Sequence, residues 1–195
     1  MRIYEHRVNE SKALKLVNPM HGVEIDIRTH NGRLILAHDP FVEGELLADW
    51  LQVWNGQPLI LNVKEDALEL AIIGLLARYS IEEYFFLDQS YPSIRRMIQN
   101  GMTKVATRVS DYEDLTTALA SGSEWVWLDS FSGDWSYLPD VVPKILKNNQ
   151  KTCLVSPELQ RADSQNELEK LRQSLSQSNL RITAVCTKNP GKWLP

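Results

Sequence analysis

Short hydrophobic runs alternate along the chain with longer segments in which apolar residues recur at helical spacing. Short runs rich in β-branched and aromatic residues are typical of strands, and apolar residues every three or four positions are typical of amphipathic helices. The predicted strands are Arg2–His6, Val23–Arg28, Arg33–Ala37, Pro58–Val63, Tyr84–Leu87, Lys104–Val109, Glu124–Leu128, Lys151–Ser156 and Ile182–Cys186. The predicted helices are Ser11–Val17, Glu45–Trp54, Ala67–Tyr79, Tyr91–Asn100, a helix from a cap at Ser110 or Asp111 to Ala120, Leu138–Asn148 and Ser164–Ser178.

The order of these elements predicts one α/β domain over residues 1–195. The strand at 33–37 follows His30-Asn31-Gly32, which predicts a hairpin turn and therefore an extra antiparallel strand. The other strands form eight β/α units, and they are apolar almost throughout, as strands buried on both faces are. Eight such units predict a compact (β/α)8 barrel, that is, a TIM barrel. The alternative is a doubly wound open sheet, which usually has a Gly-rich first turn that is absent here.

Composition narrows the possible functions. The chain has 195 residues, 43% hydrophobic and 24% charged, with a formal net charge of −4, so we expect no nucleic-acid partner. No apolar run is long enough for a membrane span, and the first residues lack the apolar core of a signal peptide, so we expect no stable membrane insertion. Cys153 and Cys186 lie in apolar runs and are expected to be buried thiols in a reducing cytoplasm.

Polar residues gather where the predicted strands end. They are His6, Arg7, Glu24, Asp26, Arg28, Asn62, Lys64, Glu65, Asp88, Gln89, Arg108, Asp129, Glu158, Thr187 and Lys188. In a (β/α)8 barrel the carboxyl ends of the strands meet at one rim, where active sites are built. The alternative explanation is helix capping and ion pairing at the rim.

Glu24, Asp26 and Arg28 share one face of their strand, because side chains alternate along a strand. Two carboxylates aimed at one point repel each other unless a cation lies between them. This favours a hard divalent cation such as Mg²⁺ or Ca²⁺. Arg7, Arg28 or Lys64 could instead supply the counter-charge in a salt-bridged rim.

Two of the four histidines follow strand ends. His6 ends the first strand and His38 lies just past the extra strand, so both are candidates for general acid–base catalysis. His21 and His30 lie beside turn residues and are expected at the surface. Asp88, Gln89, Arg108, Asp129, Glu158 and Lys188 are candidates for recognising a polar head group such as a sugar or polyol.

The ordered set His6-Arg7, Glu24-Ile25-Asp26, His38-Asp39 and Lys64 resembles the glycerophosphodiester phosphodiesterase family, within the superfamily of barrels that includes phosphatidylinositol-specific phospholipases C. The resemblance covers about the first 65 residues. It implies the PLC-like TIM barrel, phosphodiester hydrolysis in lipid metabolism and a divalent-cation cofactor. The chain departs from the family pattern in having Val8-Asn9 where a glycine is usual, Asn62 where a third metal-binding glutamate is usual, and a short segment between His38-Asp39 and the next strand.

The resemblance and the residue types together suggest a mechanism. Glu24, Asp26 and the carbonyl oxygen of Asn62 hold the cation, and Arg7 and Lys64 neutralise the developing charge. His6 is assigned as the base and His38 as the acid, and Arg28 joins the head-group residues in substrate binding. Hydrolysis proceeds either through a cyclic intermediate or directly with water.

Two other functions remain open. One is a phospho-ligand-binding barrel without turnover, because Asn62 weakens the cation site. The other is a lyase in which Lys64 forms a Schiff base with a carbonyl substrate. The sequence does not identify the substrate, the cation or the oligomeric state.

Overall fold

Eight parallel strands close into a barrel in the computed structural model, which describes residues 1–161 and 164–194. They are β1 (Arg2–Glu5), β2 (Gly22–His30), β5 (Leu59–Val63), β6 (Tyr84–Leu87), β7 (Ala106–Val109), β8 (Trp125–Leu128), β9 (Lys151–Val155) and β10 (Ala184–Thr187). Hydrogen-bonded pairs link β6–β5–β2–β1–β10–β9–β8–β7 in that order. A single bridge between Phe86 and Val105 joins β6 to the start of β7 and completes the ring. The predicted (β/α)8 architecture is confirmed.

The predicted hairpin is also confirmed. β3 (Arg33–Leu36) pairs antiparallel with the far end of β2, and its register places His30 opposite Arg33 across the turn at Asn31 and Gly32. Gly32 has a φ of 72° and Asn31 a φ of 50°, the left-handed conformations that a tight hairpin requires. The two-residue strand β4 (Glu45–Leu46) then pairs antiparallel with β3.

Helices follow most of the barrel strands. They are α1 (Ser11–Leu14), α2 (Leu47–Gln52), α3 (Glu69–Arg78), α4 (Tyr91–Gln99), α5 (Leu115–Ser121), α6 (Leu138–Lys147) and α7 (Gln165–Gln177). Within the described residues, β10 is followed by a 3₁₀ turn, Pro190–Lys192, so the eighth unit has no full helix there. No helix in the described part of the chain is both long enough and apolar enough to cross a membrane.

Three of the predicted helix starts are wrong. The helix expected from Ala67 begins at Glu69. The helix expected from Glu45 begins at Leu47, because Glu45 and Leu46 pair with β3 instead. The cap expected at Ser110 or Asp111 is Asp114, whose carboxylate accepts the Thr117 backbone N–H at 3.1 Å. Asp111 instead accepts backbone N–H groups from the loop after β8, a long-range partner that local pattern does not reveal.

The barrel is filled and covered by two apolar clusters. One gathers side chains from β2, β5 and helices α2 to α4, and the other gathers side chains from β7 to β10 and helices α5 to α7. Cys153 and Cys186 are fully buried and free, as predicted. His21, expected at the surface, is only 7% exposed, because its Nδ1 lies 2.8 Å from the carboxylate of Glu5.

Candidate active site

Two buried carboxylates lie on the part of β2 that pairs with β5. Glu24 and Asp26 are both fully buried. Their neighbours Ile25 and Ile27 belong to the apolar cluster under α2 and α3, as the alternation along the strand predicts. The β2–β5 register sets Asp26 beside Asn62, so the second strand brings its polar side chain to the same point.

The carboxyl group of Glu24 is held by two neutral donors. The Asn62 side-chain amide donates to Oε1 at 2.8 Å, and the Arg7 backbone N–H donates to Oε2 at 2.6 Å. Arg7 can present this N–H because its backbone is left-handed, with φ of 59°. Burial, reinforced by the nearby charge of Asp26, raises the pKa of Glu24 to about 7. The Glu24 carboxyl group therefore changes between its protonated and ionised forms near neutral pH.

Asp26 has a different environment, because cations surround it. The Lys64 ammonium lies 3.2 Å from Oδ1, and the Arg7 Nε lies 3.4 Å from Oδ2. The Lys64 contact is an ion pair without hydrogen-bond alignment, since Oδ1 has no hydrogen-bond partner. Asn9 binds the residue twice: its amide donates to Oδ2 at 2.9 Å, and its Oδ1 accepts the Asp26 backbone N–H at 2.9 Å.

The oxygen atoms at this point suit a hard cation. Asp26 Oδ1 and Asn62 Oδ1 are buried acceptors without a hydrogen-bond partner, and Glu24 adds a third side chain. Carboxylate and amide oxygens are the donors that Mg²⁺ and Ca²⁺ take. Among the described residues, no group of three His, Cys, Asp or Glu side chains is placed to hold a metal, and the side chain beside Glu24 here is the Asn62 amide. The donor set therefore fits a cation, with two negative charges where three would bind it more tightly.

His6 lies beside this carboxylate pair. Its side chain is 12% exposed, and Nε2 is 3.8 Å from Glu24 Oε2. Burial, together with the charges of Arg7 and Lys188, lowers the pKa of His6 to about 4. The imidazole is therefore neutral at pH 7 and carries a free lone pair that can accept a proton.

His38 follows β3 and is more open, with a side chain 41% exposed. Its Nδ1 lies 2.8 Å from Oδ1 of Asp39, so the carboxylate fixes the ring and leaves Nε2 free. Arg28 binds the protein main chain: its Nε donates to the His38 carbonyl oxygen at 3.0 Å.

A chain of alternating charges continues around the rim from the carboxylate pair. Lys64 lies 3.4 Å from Asp88, Asp88 pairs with Arg108, and Arg108 lies 3.7 Å from Asp129. Asp129 is almost fully buried, which raises its pKa, and both of its oxygens accept from the amide of Gln160 at 2.9 Å. The ion pair between Asp26 and Lys64 thus connects the carboxylate pair to the charged residues at the ends of β6, β7 and β8.

A cavity of about 790 Å³ lies against this charge chain, over the ends of β5, β6 and β7. Lys64, Asp88 and Arg108 line one side of it, and Gln89 is a further lining residue. Gln89 is 8% exposed, and neither atom of its amide has a hydrogen-bond partner. The charged groups here already pair with one another, so the unmet hydrogen-bonding capacity belongs to a neutral amide.

Glu158 and Lys188 lie on the opposite part of the rim. The Glu158 carboxylate accepts from the hydroxyls of Ser156 and Thr187 and from the Lys188 backbone N–H. Glu158 therefore joins the ends of β9 and β10. The positive charge of Lys188 contributes to the lowered pKa of His6.

Most of the predicted residues are thus linked by hydrogen bonds and ion pairs around Glu24 and Asp26, while Gln89, Glu158 and Lys188 lie further along the rim. Sequence reasoning missed the role of Asn9, which binds Asp26 at two points. The available signal was its position directly after the His6-Arg7-Val8 segment, where the chain departs from the family pattern.

The ring of eight parallel strands with polar carboxyl ends defines the chain as a (β/α)8 barrel whose rim carries a buried carboxylate pair. Solved structures similar to it are glycerophosphodiester phosphodiesterases. The enzyme from Thermotoga maritima superposes with a TM-score of 0.71 at 13% identity, covering 95% of this chain and 93% of that one. The enzyme from Parabacteroides distasonis gives 0.69 at 15% identity, with 98% and 94% covered. The enzyme from Agrobacterium tumefaciens gives 0.68 at 10% identity, with 99% and 98% covered.

No protein-family model matches the sequence, and no curated protein matches it either. The chain therefore has the glycerophosphodiester phosphodiesterase fold on a strongly divergent sequence.

Proposed function

We propose that the protein is a cation-dependent phosphodiesterase that hydrolyses a small glycerophosphodiester or another polyol or sugar phosphodiester. The observation that carries the proposal is the group formed by His6, Arg7, Glu24, Asp26 and Lys64 inside the rim of a barrel of this fold. The two buried free thiols suit a reducing compartment, and we place the activity in the cytoplasm.

Glu24, Asp26 and the Asn62 carbonyl oxygen would hold Mg²⁺ or Ca²⁺. When bound, such a cation supplies Lewis-acid polarisation of a phosphoryl oxygen. Arg7 and Lys64, both already beside Asp26, are placed to neutralise the charge that builds up on the phosphate.

His6, neutral at pH 7, takes the proton from the nucleophile, which is either water or a neighbouring substrate hydroxyl. His38, oriented by Asp39, donates a proton to the departing alcohol oxygen. His38 would donate from Nε2, because its Nδ1 is bonded to Asp39.

The cavity beside Lys64 would take the alcohol part of the substrate. The Gln89 amide nitrogen and carbonyl oxygen have no hydrogen-bond partner among the described residues, and an NH2 donor group beside a carbonyl acceptor suits neighbouring hydroxyls of a polyol or sugar. Asp88, Arg108 and Asp129 would bind at its side, and Glu158 and Lys188 complete the set of proposed substrate-binding residues.

Turnover of a glycerophosphodiester, and of bis(p-nitrophenyl) phosphate as a head-group-independent substrate, tests the proposal. We expect activity that EDTA abolishes and Mg²⁺ or Ca²⁺ restores, with losses of about 10²- to 10⁴-fold in His6→Ala and of similar size for the glycerophosphodiester in His38→Ala. His30→Ala, in the β2–β3 hairpin, is the matched control and should keep wild-type activity. Turnover that survives exhaustive chelation would contradict the proposal.

A binding barrel without turnover is the second candidate, and the Asn62–Glu24 hydrogen bond favours it, because it occupies a carboxyl oxygen that a cation would use. Isothermal titration with glycerol phosphate distinguishes the two: saturable binding without turnover supports the binding barrel. The Schiff-base lyase is less well supported. Lys64 forms ion pairs with Asp26 and Asp88, unlike an amine nucleophile in an apolar pocket.

A further inference from the structure

Arg28 uses its side chain on the protein itself. It lies on β2 two residues beyond Asp26, and its side chain is 17% exposed. Nε donates to the carbonyl oxygen of His38 at 3.0 Å, and Nη1 donates to the carbonyl oxygen of Lys64 at 3.5 Å. One guanidinium therefore binds the main chain of the two segments that carry the proposed acid and the proposed phosphate-binding lysine.

The His38 segment has few other attachments. The Ala37 backbone N–H donates to the Asp26 carbonyl at 3.1 Å, which is the last main-chain bond between this segment and β2. Residues 39–44 that follow are exposed. Among the described residues, Asp39 is the hydrogen-bond and ion-pair partner of the His38 ring, and because Asp39 is itself exposed, that pair does not tie the ring to the barrel.

Arg28 is in turn fixed by Glu65, which lies 3.7 Å from Nη1. The Glu65 carboxylate also accepts the Thr29 backbone N–H at 3.1 Å and the Thr29 hydroxyl at 2.6 Å. Glu65 is thus bound to β2 at the residue after Arg28, and the pair forms a clamp between the ends of β2 and β5. The planar guanidinium of arginine holds several N–H donors in fixed directions, so it can bind two carbonyl groups and a carboxylate at once. The single ammonium of lysine cannot reproduce this geometry.

We propose that Arg28 is a positioning residue: by binding the His38 and Lys64 carbonyls it sets the place from which His38 protonates the leaving alcohol, and it does not itself contact substrate. The inference rests on the proposed function, and it replaces the substrate-binding role that the sequence suggested for Arg28. Because Arg28 acts through His38, its removal affects the step that needs a proton donor and leaves ground-state binding unchanged.

The test compares two leaving groups. An alkyl alcohol must be protonated as it departs, whereas p-nitrophenolate departs without a proton. For Arg28→Gln we expect kcat to fall about 10- to 100-fold on a glycerophosphodiester with an alkyl leaving group, a fraction of the general-acid contribution, with KM nearly unchanged. On the p-nitrophenyl diester we expect less than about a 3-fold change in kcat. Arg28→Lys should recover part of the loss, since it can bind one of the two carbonyls.

Controls separate positioning from general damage to the fold. Arg33→Gln removes an exposed arginine from β3 and should change neither substrate's kinetics. The double variant Arg28→Gln/His38→Ala should be no slower on the alkyl diester than His38→Ala alone, because the two act on one step. Equal losses of kcat on both substrates, or a large rise in KM on both, would overturn the assignment.

A wild-type protein that turns over neither substrate would sink the proposed function, and the placement of His38 can then be judged alone. NMR of the His38 imidazole should show line broadening or a second signal in Arg28→Gln and a single sharp signal in Arg33→Gln. Unchanged His38 signals in Arg28→Gln would overturn the inference whatever the activity.

Discussion

Replacing Asn62 with glutamate would place a third carboxylate at the proposed cation site, and the effect on stability follows from the environment of Glu24. In the wild type the Asn62 amide donates to Glu24 at 2.8 Å. A glutamate at 62 cannot donate when ionised, and it adds a negative charge beside two buried carboxylates. The variant should therefore be less stable without a cation and should bind the cation more tightly.

The size of the effect can be estimated. A hydrogen bond to a charged group contributes about 1.5–3 kcal/mol. In a domain of this size each kcal/mol shifts Tm by about 2–4 °C, so Asn62→Glu should lower Tm by about 3–12 °C in EDTA. If the variant binds Ca²⁺ or Mg²⁺ with a Kd of about 0.1 mM, 10 mM cation returns about 2.7 kcal/mol, enough to recover most of the loss.

Differential scanning calorimetry at pH 8, above the pKa of about 7 for Glu24, measures both effects. Asn62→Gln is the matched control, because it keeps an amide and should gain nothing from the cation beyond what wild type gains. A variant as stable as wild type in EDTA would refute the account of the Glu24 environment. A destabilised variant that millimolar cation does not rescue would refute the cation site.

Three further outcomes are expected. Because the raised pKa of Glu24 keeps its proton bound, cation affinity should weaken as pH falls below about 7 and binding should release protons, which calorimetry in buffers of different ionisation enthalpy detects. Folding stability should respond to pH with two opposite signs. Glu24 binds its proton more tightly when folded, so it costs stability as pH rises from 4.5 towards 7. His6 binds its proton less tightly when folded, so it costs stability as pH falls from 6.5 towards 4. Urea titrations of Glu24→Gln should therefore show stability rising with pH across the His6 interval, and a flat profile would contradict the lowered pKa of His6. Trp50→Phe leaves the Val8 carbonyl without its indole donor at 3.1 Å and should cost about 1–3 kcal/mol in urea denaturation, whereas an unchanged midpoint would show that this bond adds nothing.

The barrel could be predicted because each strand carries its own signal. Glu24 and Asp26 alternate with Ile25 and Ile27, and a period of two in a buried strand decides which side chains face the barrel interior. The same alternation predicts that Lys64 and Asn62 share one face. The ion pair between Lys64 and Asp26 joins β5 to β2, which the order of the β/α units makes neighbours.

The remaining features depend on partners far apart in the sequence. His21 is buried because Glu5 faces it across β1 and β2, while its local neighbours Asn18 and Gly22 suggested a surface turn. Aspartate is a common helix cap, but the Asp111 carboxylate accepts backbone N–H groups from the loop after β8 instead of capping a helix. Residue type alone also did not show that the Arg28 guanidinium binds main-chain carbonyls.

The single bridge between Phe86 and Val105 makes the barrel circumference unequal. On the opposite side, β1 and β10 pair over four residues, so the pairing between β6 and β7 is the weakest in the barrel. Local opening follows the weakest hydrogen-bonded boundary, and backbone amides along β6 and β7 should exchange with deuterium before those of β1 and β10. The weak pairing between β6 and β7 lies beside the cavity of about 790 Å³. The wall of the proposed head-group pocket is therefore also the part of the barrel that we expect to open first.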